Sequence, residues 1–445
     1  MGKSFQINQT WKNRREASRF EEKGSFAYIK RGSYDKPEPT FIGSPHFILA
    51  FGFSALSPHE RGKPLKAMAA KILESKPELA HLEARSVGKP VYDFFDGDYA
   101  AVHFNYFGEA GYAQGHTSLN TPGFLNMSLR QPFGVVGIII QWNTPLVFFS
   151  KKVAPAVAAG NTVVLKSSEK APLTSWKVAQ WIAECGFPLG VINVLPGHGH
   201  ISGSAMSLRT SVPALSFTGR TRIGRAIQIA SAQSNLKKVV FELSKKGPAL
   251  VFEDADLDEA VKGTEHSIYW NSGQTSMANS RVYVPDKVQY ETVLRYIDIG
   301  KESGRVVLSA EENATVKKEE QNIIVHPVIF VDQPEHSRIM KEEIFGPGVV
   351  INTFKTEEEV ISKANDTEFG LYAALYTKDL ERALRVGKKL ESGMIGVNCA
   401  SPTGSWDLPF GGWKGSGTGR ESLLESMDHF LEQKSIYIKV PGIRG

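Results

Sequence analysis

The sequence predicts a doubly wound α/β fold, and three observations carry that prediction. Short, continuous apolar runs, of the kind a parallel strand needs when both its faces are covered, recur at Val135-Val136-Gly137-Ile138-Ile139-Ile140, Thr162-Val163-Val164-Leu165-Lys166, Val191-Ile192-Asn193-Val194-Leu195 and Val239-Val240-Phe241-Glu242-Leu243. Helical stretches separate them. The first runs through Val153-Ala154-Pro155-Ala156-Val157-Ala158-Ala159 and is stopped by Gly160-Asn161, so strand, helix and strand fit one βαβ unit. The length, 445 residues, exceeds the roughly 250–300 that one hydrophobic core organises, so at least two domains are expected.

Taken in order, residues 1–60 mix Gly, Pro, Ser and aromatic residues without a sustained helical or strand period, beyond a faint strand at Phe5-Gln6-Ile7-Asn8-Gln9-Thr10-Trp11. Ser57-Pro58-His59-Glu60 reads as a helix start, with Ser as N-cap, Pro in the first position and Glu three residues after the cap. Apolar residues at helical spacing follow over 61–82. The stretch 124–136 alternates partly, like an exposed ribbon. After the first apolar run comes a loop, Gln141-Trp142-Asn143-Thr144-Pro145, and a helix over 175–185 leads to the third run and then Pro196-Gly197-His198-Gly199. Ala214-Leu215-Ser216-Phe217-Thr218-Gly219-Arg220-Thr221-Arg222-Ile223-Gly224 reads as strand, tight turn and helix start. Pro248-Ala249-Leu250-Val251-Phe252 opens a second unit, and Asp254-Ala255-Asp256-Leu257 caps a helix that ends just ahead of Asn271. The tail Lys434-Ser435-Ile436-Tyr437-Ile438-Lys439-Val440 alternates like an edge strand; such edges are normally paired or protected, so an oligomer is expected.

Hydrophobic residues make up 41% and charged residues 22%, ordinary for a globular chain. No run reaches the ~18 apolar residues of a membrane span. The first twenty residues lack the apolar core of a secretory signal, and Gln6 breaks the myristoylation pattern, so a soluble cytoplasmic protein is expected; Glu16, Glu21 and Glu22 speak against organelle import. The net charge of +5 and pI near 8.9 come from interspersed charges, a mild bias toward anionic ligands without the clustered footprint of nucleic-acid binding. Two cysteines, Cys185 and Cys399, provide neither a disulfide framework nor a thiolate zinc site, and the eleven histidines show no ligand spacing, so no metal is expected.

The stretch Asn271-Ser272-Gly273-Gln274-Thr275-Ser276-Met277-Ala278-Asn279-Ser280-Arg281 resembles the nucleophile segment of the aldehyde dehydrogenase superfamily, Asn-x-Gly-Gln-x-Cys-x-Ala-x-x-Arg, at every fixed position except one. Ser276 stands where the cysteine belongs. Lys341-Glu342-Glu343-Ile344-Phe345-Gly346-Pro347 and Pro409-Phe410-Gly411-Gly412-Trp413-Lys414-Gly415-Ser416-Gly417 resemble two further signatures of the superfamily. The resemblance covers 57–440, with a connection after Val288 that is shorter by about two dozen residues, the size of one long helix with its loop. It implies an aldehyde dehydrogenase-like fold, with a Rossmann-type NAD-binding domain over 1–117 and 134–243 (1–56 atypical), an α/β catalytic domain over 244–430 and a small β oligomerisation arm over 118–133 and 431–445. It also implies a small aldehyde as substrate, NAD as cofactor, and a homodimer or homotetramer.

Residue roles follow from the same resemblance. Ser276 takes the position of the attacking group, Asn143 that of the side-chain donor to the oxyanion, with the N–H of residue 276 as the second donor, and Glu242 that of the base that activates water. A carboxylate closing an apolar strand is expected to be desolvated and its pKa raised; the alternative is an ordinary strand-end charge. For Asn143 the alternative is plain turn chemistry before a proline. Gly219-Arg220-Thr221-Arg222-Ile223-Gly224 fits a helix N-terminus presented to a pyrophosphate. Lys166 and Glu169 correspond to the pair at the adenine ribose, where a carboxylate accepts from both hydroxyls and repels a 2′-phosphate, favouring NAD over NADP; otherwise they are a solvated pair in a loop. Glu343 and Phe345 correspond to the pair at the nicotinamide ribose and ring, and Ile140, Trp142, Ser168, Gly199, Phe217, Thr218, Ile223 and Leu243 to the rest of the NAD site.

Besides Ser276, two departures from the superfamily pattern surround this site. Arg220 replaces a serine at a helix cap and cannot accept the capping bond. Glu242-Leu243-Ser244-Lys245-Lys246 replaces Glu-Leu-Gly-Gly-Lys; side chains at 244 and 245 are expected to crowd the backbone's approach to the nicotinamide, the main effect, and to force disfavoured dihedrals, and Lys245 to be able to pair with Glu242 and blunt it as a base. A serine hydroxyl, unlike a thiol, needs an adjacent base, so reduced dehydrogenase activity is expected; the alternatives are an inactive NAD-binding or partner-binding relative and a Ser276-dependent esterase. Cys399 is a remote substitute thiol.

Overall fold

The computed structural model describes residues 52–285, 307–309, 327–402 and 405–440. Expectations that fall on 1–51, 441–445 or the 288–296 connection lie outside the described residues. Helix α1 (Pro58–Glu74) starts as its sequence requires. The Ser57 hydroxyl accepts from the Glu60 N–H, the Glu60 carboxylate accepts from the Ser57 N–H, and Pro58 occupies a position that needs no donor. Helix α2 (Lys76–Val87) stops at Gly88, which takes φ 84° at the C-cap. Helix α3 (Asp96–Glu109) packs across α1. Strands β1 (Thr117–Ser118) and β2 (Phe124–Pro132) then leave the body as an antiparallel ribbon.

The predicted doubly wound sheet follows. It comprises β3 (Val135–Ile139), β4 (Thr162–Lys166), β5 (Ile192–Leu195), β6 (Ala214–Thr218) and β7 (Lys238–Glu242), parallel and in the order β7-β6-β3-β4-β5. The crossovers are α4 (Pro145–Ala158), α5 (Leu173–Glu184), the short α6 (Ser204–Leu208) and α7 (Thr221–Gln233). The helix expected over 175–185 thus begins two residues earlier. The strand order reverses between β3 and β6, so the loops leaving these two strands diverge and open a crevice at their carboxyl ends, the usual ligand position in such sheets. Helix α4 is buried on all sides, including Lys151 and Lys152 in its middle. A helix enclosed all round belongs to the core, and charges on it must be matched inside the protein.

A second, parallel sheet has the order β10-β11-β12-β9-β8-β14-β15, from β8 (Gly247–Val251), β9 (Asn279–Pro285), β10 (Val307–Ser309), β11 (Val328–Val331), β12 (Gly348–Phe354), β14 (Tyr372–Tyr376) and β15 (Met394–Val397). Helix α8 (Leu257–Tyr269) joins β8 to β9 and is capped by Asp256, whose carboxylate accepts from the Glu259 N–H, as its sequence predicts. Apolar clusters fill both faces of this sheet. Two short pairs then tie the units together: β13 (Phe369–Gly370) pairs with β16 (Trp413–Lys414), and β17 (Gly417–Thr418) pairs antiparallel with β7, placing Gly417 opposite Glu242. The chain then passes under α4, and β18 (Leu431–Lys439) runs antiparallel to the whole of β2. In this three-stranded sheet β18 is an edge. Among the described residues no helix is long and apolar enough to cross a membrane, and no group of His, Cys, Asp or Glu side chains is placed to hold a metal.

Candidate active site

The segment between α8 and β9 turns back on itself through three consecutive left-handed residues: Asn271 (φ 51°, ψ 35°), Ser272 (φ 58°, ψ 31°) and Gly273 (φ 74°). That conformation is unfavourable for residues with a Cβ and persists where surroundings over-determine it. Here they do. The Asn271 amide donates to the Asn143 and Gln274 carbonyls at 3.1 and 3.2 Å, and the Asn143 amide donates to the Gln274 carbonyl at 2.8 Å. Gly273 lies against the Gly346 backbone so closely that a Cβ would collide with the carbonyl carbon. Past the turn, Arg281 is buried and donates to the carbonyls of Lys246, Lys363 and Ala364. The Asn, Gly and Arg of the segment are thus fasteners, and they leave the Ser276 side chain facing the end of β7.

There the Ser276 hydroxyl donates to Glu242 Oε1 at 3.2 Å. Glu242 is 3% exposed, and burial pushes its carboxyl above the ordinary carboxylate range, as its place at the end of an apolar strand predicts. The opposing pull comes from Lys151, whose Nζ lies 3.7 Å from Glu242 Oε2 and 3.1 Å from Glu421 Oε2. Burial lowers the Lys151 ammonium, but Glu242 and Glu421 outweigh it and hold the group above its ordinary value. Glu421 also accepts from Lys152 at 2.5 Å; burial raises it, yet Lys152 and Lys151 bring it down to about 2. Serine, carboxylate and ammonium are therefore in sequence, with the carboxylate between a proton donor and a fixed cation.

From Ser276 a cavity of about 730 Å³ runs along the carboxyl ends of β3 and β6 to α7. Every site residue expected from the sequence lines it. Ser276, Glu242 and Asn143 sit at one end with Glu343 and Phe345; Ile140, Trp142, Phe217, Thr218, Gly219 and Leu243 form the walls; Lys166, Ser168, Glu169, Gly199, Arg220 and Ile223 lie farther along. Phe345 takes φ 58°, unusual for a bulky residue, and its ring meets Trp142 edge-on at 5.8 Å. Gly219 has no room for a Cβ, which would stand 2.6 Å from the Phe217 ring. Lys166 and Glu169 pair at 2.7 Å; burial raises the Glu169 carboxyl, but the Lys166 hydrogen bond prevails and holds it low, leaving an ionised acceptor at the rim. Two buried oxygens in the wall, Gln141 Oε1 and Asn143 Oδ1, accept no hydrogen bond among the described residues. Volume, ionised rim and spare polar atoms fit a dinucleotide. Sequence reasoning placed the first turn of α7 at the site but missed the wall made by the rest of the helix. Arg222, Ala226, Ala230 and Gln233 all line the cavity, and their helical spacing was the available signal.

Two expectations need correction. Ser244 and Lys245 are not among the positive-φ residues, so the left-handed backbone that glycine would have allowed is not required there. Lys245 does not pair with Glu242: its Nζ donates to the Ala278 carbonyl at 3.1 Å, and its backbone N–H donates to Glu343 at 3.0 Å. Instead, burial lowers the Lys245 ammonium to about 8. Arg220 makes no side-chain cap, as expected, but the Ser244 hydroxyl accepts from the Thr221 N–H at 3.3 Å and takes over that duty. Cys399 is exposed and does not line the cavity.

The aldehyde dehydrogenase family model matches residues 49–291 and 285–436. The chain is similar to an aldehyde dehydrogenase of Alternaria alternata, 37% identical over 424 residues that span 87% of this chain and 84% of that protein. It is 35% identical to the human retinal dehydrogenase 2, over 89% of this chain and 82% of the relative. Among solved structures it is similar to the NAD+ complex of an aldehyde dehydrogenase from Bacillus cereus, with TM-score 0.82, 32% identity, and coverage of 89% of this chain and 88% of the other.

Proposed function

Because the chain belongs to the aldehyde dehydrogenase family, we propose that it oxidises an aldehyde to a carboxylic acid with NAD, at a rate limited by serine at the attacking position. The observation that carries the proposal is the 3.2 Å hydrogen bond from Ser276 to Glu242 at the end of the cavity. NAD, when bound, supplies the hydride acceptor. Lys166, Ser168 and Glu169 would hold its adenine ribose, the α7 N-terminus with Gly219, Arg220 and Ile223 its pyrophosphate, and Glu343 and Phe345 its nicotinamide end. Glu169 favours NAD over NADP. The remaining chemistry belongs to the chain. The Ser276 O–H proton passes to Glu242, the freed electron pair forms the Oγ–carbon bond, and the carbonyl pair moves onto the aldehyde oxygen. The Ser276 N–H and the second N–H of the Asn143 amide would donate to that charge. After loss of hydride to the acceptor leaves an ester on Ser276, Glu242 gives up its first proton to solvent and takes one from water; the hydroxide adds to the ester carbon, the Oγ–carbon bond breaks, and Ser276 Oγ takes that proton back from Glu242 as the acid leaves.

An oxygen ester yields to water more slowly than a thioester, and serine is the weaker nucleophile, which is why activity is expected to be reduced. We assign 1–117 and 134–243 to NAD binding, 244–430 to catalysis, and 118–133 with 431–445 to oligomerisation. The exposed edge of β18, with Tyr437 72% exposed, suits pairing in a cytoplasmic homodimer or homotetramer. The test is NADH production from a panel of aldehydes by the chain as it stands and by Ser276→Cys. No NADH from either, with NAD binding still measurable by calorimetry, overturns the dehydrogenase reading and leaves an NAD-binding relative without turnover. The same Ser276–Glu242 bond favours a second reading, ester hydrolysis without cofactor. Hydrolysis that is lost in Ser276→Ala and indifferent to NAD is its signature.

A further inference from the structure

Helix α4 carries two adjacent buried lysines, and they are not equivalent. Lys152 is satisfied by structure alone, donating to Ser216 Oγ at 2.8 Å and to Glu421 Oε1 at 2.5 Å. Lys151 shares the same carboxylate at 3.1 Å, so one Glu421 stands against two ammonium groups, and the excess positive charge faces Glu242 at 3.7 Å. Its ammonium lies over the Phe410 ring, 3.6 Å from the centroid, and 5.5 Å from that of Phe148. Ring faces hold a cation in place without neutralising it. We propose that Lys151 is a positioning residue for the reaction at Ser276: anchored on Glu421 and Phe410, its ammonium keeps Glu242 an oriented carboxylate able to take the Ser276 proton.

The inference rests on the proposed role of Glu242 as base. Burial by itself favours the neutral carboxyl, which accepts no proton from serine, whereas a cation within about 4–6 Å favours the ionised form by roughly 1–3 pKa units. Of the other groups facing Glu242, Lys152 pulls the same way but less strongly than Lys151, and the rest supply no cation. Ser276 and the Thr218 hydroxyl, 3.5 Å from Oε2, are uncharged. Glu421 opposes ionisation, Lys152 points its ammonium at Glu421 and Ser216 and acts on Glu242 from farther off, and burial pushes the Tyr99 hydroxyl up to about 12, so it stays neutral. A thiol nucleophile ionises with little help; a serine depends on the state of its neighbour, so the lysine and the serine belong together.

The test compares the full chain with Lys151→Met and Lys151→Arg, with melting temperature as a check on folding. The acidic limb of the kcat against pH profile is expected to move up by about 1–3 units in Lys151→Met and to stay in place in Lys151→Arg. Superimposable limbs, or an Arg variant that shifts as far as the Met variant, overturn the inference. A second readout does not need turnover. In a Ser276→Cys, Cys399→Ser background, the pH dependence of iodoacetamide alkylation reports the field at the introduced thiol, and adding Lys151→Met is expected to shift it upward by about 1 unit or more. Unchanged alkylation curves overturn the inference. A clear shift in alkylation with no NADH from any variant supports the inference about Lys151 and removes the dehydrogenase reading instead.

Discussion

At the scale of single residues, the site joins a serine hydroxyl to a buried carboxylate, which the proposed function reads as a weak nucleophile beside its base. Neither Ser244 nor Lys245 takes a positive φ and Lys245 is directed to Ala278, so two of the obstacles expected from the sequence are absent, while the Ser244 side chain does line the cavity. Ser276→Cys is therefore expected to raise kcat/KM for aldehyde oxidation by about a hundredfold or more, read as the rate of NADH formation. A gain under tenfold would mean that another step limits the reaction. Glu242→Gln keeps shape and hydrogen bonding but removes the base, and is expected to lower kcat by about 10²–10⁴-fold in both the serine and the cysteine backgrounds. Equal rates with and without the carboxylate would assign proton removal elsewhere.

At the scale of elements, α7 begins at a residue that cannot cap it and borrows its cap from Ser244 on the neighbouring loop. Losing a capping hydroxyl costs about 0.5–2 kcal/mol, so Ser244→Gly should lower thermal stability, while the same change in an Arg220→Ser background, where a local cap returns, should cost clearly less. Equal losses in both backgrounds would show that Ser244 does not cap α7. Much of this element structure was legible. The apolar runs of β3, β4 and β7 and the caps at Ser57 and Asp256 are local patterns, fixed by residues a few positions apart. The candidate site was legible for the same reason, since its residues sit at strand ends and in loops whose spacing the superfamily pattern preserves. What could not be read depends on distant partners. Lys152 meets Glu421 from 269 positions away, and Thr221 meets Ser244 from 23 positions away. The destination of Lys245 was misjudged because proximity in sequence to Glu242 said nothing about which wall the side chain reaches.

At the scale of the molecule, buried charges give stability two opposed pH dependences. Burial, with Asp96 adding and Lys89 opposing, raises Glu83 from 4.5 to about 8. The folded state therefore holds a proton that the unfolded state releases; this contribution is complete below about pH 4.5 and is lost as pH rises through about 8. Glu421, brought down to about 2, works in the opposite sense: its contribution is present above about pH 4.5 and is lost as pH falls toward 2. Melting temperature followed against pH should fall on both sides, and Glu83→Gln should flatten the fall between about pH 5 and 8 while leaving the acid side unchanged. An unaltered fall in Glu83→Gln would place the titration elsewhere. Glu421 has one further consequence, for the order in which the protein is made. It lies just past β17, far along the chain from α4, so in a growing chain both lysines are synthesised long before their shared carboxylate. Until then two buried ammonium groups face the single carboxylate of Glu242, and α4 is expected to pack incompletely. Nascent chains stalled before Glu421 should thus be far more open to protease within α4 than chains that carry it, so a residue 269 positions downstream seals the helix.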